Sequence, residues 1–326
     1  MATAEPKIKL LMLHGFAQSA PFFQIKTRAL TEMLRKTISH SYNVRAENVE
    51  FAFLTGPLHL RASDLSGTCA DGHQFLDDSD TCAWWQNLDT TNHYVGIESS
   101  LAALRLLVQQ QGPFTGVVGF SQGATLAAMF ASWCESDSVP GRSEALREMS
   151  KDNDLLLQLL SSPPQRQLEF ALCFSGFRGT FSFYHGFYAP EIVTPTIHVL
   201  GELDTIISKA ISEDLMNSCV EPILIQHQGV HFVPTYVHVL DQISKSLEGI
   251  ILWAHVSVSY NSPLADSKEY QVTPPLGEHV TLAHCRKICS STSSCTSSEA
   301  GSDTGRRSRS RGRHAPRIAR RYRLSG

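Results

Sequence analysis

The stretch TGVVGFSQGATLAAMF, Thr115–Phe130, constrains the fold more than any other part of this chain. An apolar, β-favouring run ends in Gly119-Phe120-Ser121-Gln122-Gly123, and an Ala-rich run with helical character begins at once. A strand apolar on both sides, turning directly into a helix, belongs to a sheet that helices cover on both faces. A serine between two glycines at that junction fits a strained turn, because a side chain two residues before or after would collide with neighbouring backbone. G-x-S-x-G in this setting is the nucleophile elbow. It raises the Ser121 hydroxyl above the sheet edge and leaves the Gln122 backbone N–H at a helix N-terminus, where a developing anion meets a donor and the positive end of the helix dipole. The plainer alternative is a glycine turn without chemistry.

The same alternation runs along most of the chain. Strands are predicted at Lys7–Gly15, Val49–Pro57, Phe114–Phe120, Leu168–Gly176, Thr194–Asp204 and Glu221–His231, and helices at Phe22–Ile38, Val95–Gly112, Gln122–Cys134, Ile206–Ser218 and Pro234–Trp253. Strand-helix alternation implies right-handed crossovers and a mainly parallel central sheet, an α/β fold. Two long connections, Leu58–Tyr94 and Gly176–Pro190, interrupt it, and clefts form at such places in parallel sheets. Ser136–Pro164 reads as a helical surface insertion. Trp84 and Trp85, adjacent in a polar stretch, are either core residues or a wall of a substrate pocket.

A serine needs a base to take its proton and an acid to orient that base. At an elbow of this kind the partners follow in the order acid, then histidine. Asp204, in LGELDTII, and His231, in HQGVHFVP, each lie just past a predicted strand end, on the same sheet edge as Ser121. Glu202 and Asp241 are poorer candidates for the acid, the first nearer the strand and the second inside a helix; Asp204 itself has an alternative role as a helix N-cap. His227 and His238 are the rivals of His231, within a strand and a helix. A second oxyanion donor is expected from the loop after the first strand, the N–H of Phe16 or else of Ala17, with Gly15 allowing the close turn and His14 bonding the loop. This chemistry needs no metal and no organic cofactor.

The formal charge of -3 over 326 residues hides an asymmetry. Residues 296–326 hold nine arginines against Glu299 and Asp303, so this segment carries +7 and the rest of the chain about -10. The acidic body excludes nucleic-acid binding, and any affinity for polyanions belongs to the segment RRSRSRGRHAPRIARRYR, which is otherwise a solvated tail. Residues 1–254 are expected to form the catalytic domain, and 255–326, rich in Ser and Arg, a disordered tail. The eight cysteines lack the regular spacing of a disulfide scaffold, and His284, Cys285, Cys289 and Cys295 lack the paired C-x-x-C of a zinc site. The apolar run Ile8–Leu13 is too short for a membrane span or signal core, so a soluble, cytoplasmic protein without membrane partners is expected.

LMLHGFAQSAPFFQIKTRALTEMLRK, TGPL, the Trp84-Trp85 pair, GVVGFSQGATLAAMF, CFSGF, VLGELDTII and GVHFVP, in that order over about residues 7–253, resemble the fungal serine-hydrolase family of the α/β-hydrolase fold. The resemblance implies Ser121 as nucleophile, Asp204 as acid and His231 as base. It also implies an ester or thioester substrate. Because several fungal members serve polyketide clusters, release of a polyketide acyl chain from a synthase acyl-carrier domain is the sharper expectation. A free-standing carboxylesterase for short or long-chain esters is the alternative. A non-catalytic binding protein on the same fold would lack one of the three residues, and all are present.

Overall fold

The computed structural model describes residues 6–61, 64, 81–87 and 93–260, with side chains to 256. The expected tail beyond Tyr260, including the Arg-rich run and the His284, Cys285, Cys289 and Cys295 group, lies outside the described residues.

Six strands form one sheet: β1 (Ile8–Leu13), β2 (Val49–Leu54), β7 (Gly116–Phe120), β8 (Phe170–Phe174), β9 (Thr196–Gly201) and β10 (Ile223–His227). Their spatial order is β10-β9-β8-β7-β1-β2, and every neighbouring pair is parallel. The chain leaves β1 toward β2 and then returns to β1's other side with β7. Between β1 and β7 the strand order therefore reverses, and the crevice above that switch point is where parallel sheets bind ligands. The loops leaving these two strands carry Phe16 and Ser121.

Both faces of the sheet are covered. On one lie α1 (Ala20–Lys26), α2 (Arg28–Ser41) and α8 (Val237–Tyr260), which pack Phe23, Leu34, Ile38, Ile243 and Leu247 against Leu10, Met12 and Val118. On the other lie α3 (Ile97–Gln111), α4 (Gln122–Cys134), α5 (Arg142–Ser150), α6 (Asp154–Leu160) and α7 (Lys209–Met216), with Leu101, Leu104, Met129 and Trp133 against Leu11 and Val117. Helix α4 is buried along all of its length, which explains why its sequence carries no polar stripe. Two short antiparallel ladders, β3 (Leu58–His59) with β4 (Cys82–Ala83) and β5 (Gln86–Asn87) with β6 (Tyr94–Val95), build the connection between β2 and α3. Among the described residues no helix is long and apolar enough to cross a membrane.

Three helices differ from expectation. The predicted Phe22–Ile38 helix is two, broken at Thr27, whose hydroxyl bonds the Phe23 carbonyl at 2.6 Å. The helix expected from Ile206 starts only at Lys209, because the Asp204 carboxylate takes the N–H groups of Ile206 and Ile207 into a turn of its own. The last, predicted over Pro234–Trp253, is α8, which starts at Val237 and runs to Tyr260, past the expected start of the tail at residue 255.

Candidate active site

Ser121 stands between β7 and α4 with φ 53° and ψ -118°, a left-handed conformation that costs a residue with a side chain of order 1–3 kcal/mol and has to be imposed by its surroundings. Its N–H donates to the Phe174 carbonyl at 2.8 Å, and its own carbonyl accepts from Ala124 at 2.9 Å to start the helix. Both flanking glycines are sterically required. A Cβ on Gly119 would lie 2.2 Å from the Gly123 carbonyl oxygen, and one on Gly123 would lie 2.3 Å from that of His14. The Ser121 side chain does not cap α4, which leaves its hydroxyl to a base.

Asp204 and His231 come together beyond the ends of β9 and β10. His231 Nδ1 is 2.7 Å from Asp204 Oδ2, while Asp204 Oδ1 accepts from the N–H groups of Ile206 at 3.0 Å and Ile207 at 2.8 Å. Burial pushes the Asp204 pKa up, but His231, the Ile207 N–H and the nearby Ser175 hydroxyl outweigh it and hold the carboxyl below its ordinary value. Asp204 is thus an anion at neutral pH, oriented by turn donors rather than serving as the helix cap. The His231 ring lies 4.8 Å from that of Phe120, the residue before Ser121. A direct Ser121–His231 hydrogen bond is not among the contacts of the described residues; nucleophile–base bonds are often long without substrate and tighten in the complex.

The rival residues have other positions. Glu202 is exposed in the turn after β9, and Asp241 lies in α8, paired with Lys245 at 2.8 Å. His227 ends β10 with both ring nitrogens buried and unbonded, and His238 lies in α8.

At the proposed oxyanion side, Gln122 opens α4 and its backbone N–H has no partner among the described residues; the same holds for Phe16. Gly15 lets this loop lie against the elbow, since a Cβ there would come within 2.8 Å of the Phe120 ring. His14 anchors the loop: Gly56 N–H donates to its Nε2 at 2.8 Å, so Nδ1 carries the proton and donates to the Gly15 carbonyl at 2.7 Å. Burial, partly offset by that bond, lowers its pKa to about 4.

Trp84 and Trp85 do not line a cleft. They are 0% and 2% exposed, stacked on His14 and on Tyr94 respectively, so their placement as substrate-binding residues is corrected to a core one. Hydrogen bonds absent from any local pattern hold them there. The Gln122 side chain accepts from Trp84 N–H at 2.9 Å and donates to the Trp85 carbonyl at 2.9 Å, and Trp84 Nε1 donates to the His14 carbonyl at 2.8 Å. The elbow and the loop after β1 are therefore stitched to one tryptophan pair.

Comparison with known proteins agrees with this architecture. The family model described as Serine hydrolase (FSH1) matches residues 2–243. The chain belongs to this serine hydrolase family. It is 34% identical over 228 residues to Family of serine hydrolases 2 of Saccharomyces cerevisiae, covering 69% of this chain and 91% of that one. An uncharacterized hydrolase of Schizosaccharomyces pombe is 30% identical over 239 residues, 70% of this chain, and the chain spans only 48% of that protein's length. Esterase OVCA2 of Danio rerio is 28% identical over 244 residues, 70% of this chain and 90% of that one. The fold is accordingly the α/β-hydrolase fold, and the matched span of the FSH1 serine hydrolase family contains Ser121, Asp204 and His231.

Proposed function

We propose that this member of the FSH1 serine hydrolase family hydrolyses carboxylic esters or thioesters through an acyl-Ser121 intermediate. The observation that carries the reading is the Asp204–His231 hydrogen bond at strand ends beside a strained serine elbow. In this scheme Ser121 Oγ attacks the acyl carbon as its proton passes to His231 Nε2, and the Asp204 carboxylate stabilises the imidazolium. The N–H groups of Gln122 and Phe16 hold the tetrahedral oxyanion, each donor worth roughly 2.7–4 kcal/mol in the transition state. The intermediate collapses, the C–O or C–S bond breaks, and His231 gives the proton to the leaving alkoxide or thiolate. Water, deprotonated by His231, then attacks the acyl-serine, releasing the acid and restoring Ser121.

The finer reading, which the resemblance to fungal serine hydrolases supports, is release of a polyketide acyl chain from a synthase carrier domain in the cytoplasm. Two substrates compared on one preparation test both levels. Turnover of p-nitrophenyl esters that disappears in His231→Ala is the expected result for the chemistry; a fully active variant contradicts it. Faster acid release from an acyl-loaded carrier protein is expected for the finer reading, whereas release no faster than without enzyme leaves a free-standing esterase.

A further inference from the structure

The end of β8 carries a side chain that the acyl-transfer scheme does not use. Ser175 follows Phe174 and adopts φ 46°, a left-handed conformation unusual for a residue with a Cβ. Its N–H donates to the Val199 carbonyl in β9 at 2.9 Å, just as the Ser121 N–H donates to the Phe174 carbonyl at 2.8 Å. Residues 174 and 175 thus bridge the elbow to the strand that leads into Asp204. The Ser175 side chain is 1% exposed, and its hydroxyl makes no hydrogen bond. A buried, unpartnered hydroxyl on a strained backbone combines two unfavourable features that packing alone does not require, and such features concentrate at functional sites.

The hydroxyl stands near enough to the Asp204 carboxylate to favour its ionised form, although no hydrogen bond joins the two. The other titratable groups acting on Asp204 are His231, bonded to it, and His227 at the end of β10, which also feels Glu202 and His238. Ser175 is the neutral hydroxyl in this set.

We propose that Ser175 is a positioning residue for Asp204, its left-handed backbone aiming the hydroxyl so that it donates to the carboxylate as His231 takes up the serine proton. Ser175 keeps its own proton throughout. The proposal rests on the Ser121, His231 and Asp204 reading above.

Ser175→Gly separates this role from a structural one, because glycine occupies φ 46° without strain. The variant is expected to unfold at or above the wild-type temperature. Its kcat on a p-nitrophenyl ester is expected to fall roughly tenfold or more, as for loss of a hydrogen bond to a charged group. The acid limb of its kcat/KM profile is expected to move to higher pH, since a carboxylate that has lost a donor makes the Asp204–His231 pair hold its proton more tightly. Ser175→Ala, which keeps the strain, is expected to share the kinetic changes. With Ser121→Ala measured in parallel and inactive, an unchanged kcat and acid limb in Ser175→Gly overturns the proposal and leaves the acyl-serine reading standing. A Ser121→Ala variant that still turns over ester overturns both.

Discussion

His231 Nδ1 and Asp204 Oδ2 lie 2.7 Å apart, and the second carboxylate oxygen of Asp204 is held by two turn N–H groups, so the carboxylate has one orientation and presents one lone pair to the imidazole. Asparagine at position 204 would preserve the shape but could offer an N–H to Nδ1, which would favour the wrong tautomer of His231. Asp204→Asn is therefore expected to lower kcat by roughly 10³–10⁴-fold with the fold intact. Steady-state ester kinetics beside a melting curve check it; a loss below tenfold in a folded variant contradicts the role given to Asp204.

Acid stability follows from two buried histidines. Burial lowers both His14 and His198 to about 4, His14 with a partial offset from the Gly15 carbonyl, and neither side of the His198 ring finds a hydrogen-bond partner. In the unfolded chain a histidine binds its proton near pH 6.5, so between about 6.5 and 4 the unfolded state holds protons that the native state does not. Stability should fall as pH drops through that window, by on the order of 3 kcal/mol per histidine at its lower end. Asp204, whose folded pKa is depressed, has the same sign at lower pH: its contribution is present above the unfolded carboxylate value and is lost as pH falls through the folded one.

His198→Leu isolates one part of this. It removes two unbonded buried nitrogens at similar volume, so at pH 7 the variant should be as stable as wild type or more so, with a shallower loss toward pH 4.5. Urea unfolding at pH 7, 5.5 and 4.5 measures both; parallel curves for the two proteins would show that His198 does not titrate on unfolding.

The Gln122 side chain is expected to matter for stability apart from its backbone N–H. Gln122→Ala leaves the buried Trp84 N–H and Trp85 carbonyl without partners, at about 1–3 kcal/mol each. Gln122→Glu keeps an acceptor for Trp84 but turns a carboxylate oxygen on the Trp85 carbonyl in a buried site, so at pH 7 it should lose at least as much as the alanine variant. Denaturant midpoints order the three proteins; an alanine variant as stable as wild type would mean that water replaces both bonds.

Much of this site was legible in the sequence because its chemistry depends on local patterns. Apolar runs mark the six strands, the two glycines around Ser121 mark an elbow whose steric need the structure bears out, and strand-end positions single out Asp204 and His231. What escaped depends on contacts between distant segments. Nothing near Trp84 and Trp85 in the chain reveals that Gln122 and His14 bury them, so their polar surroundings suggested a pocket wall. The break at Thr27 is hidden by a helical period that continues through it. Ser175 lies in the CFSGF motif, but only its left-handed backbone and its place beside Asp204 distinguish it from an ordinary turn serine.

Hydrolysis through an acyl-enzyme requires Ser121 to be the nucleophile that becomes covalently modified. Intact-protein mass spectrometry after treatment with a fluorophosphonate, followed by peptide mapping, tests it directly. A single adduct on the peptide containing Ser121 is expected, formed by the wild type and absent from Ser121→Ala. Adduct on another residue with Ser121 unmodified, or ester turnover retained by Ser121→Ala, would contradict it.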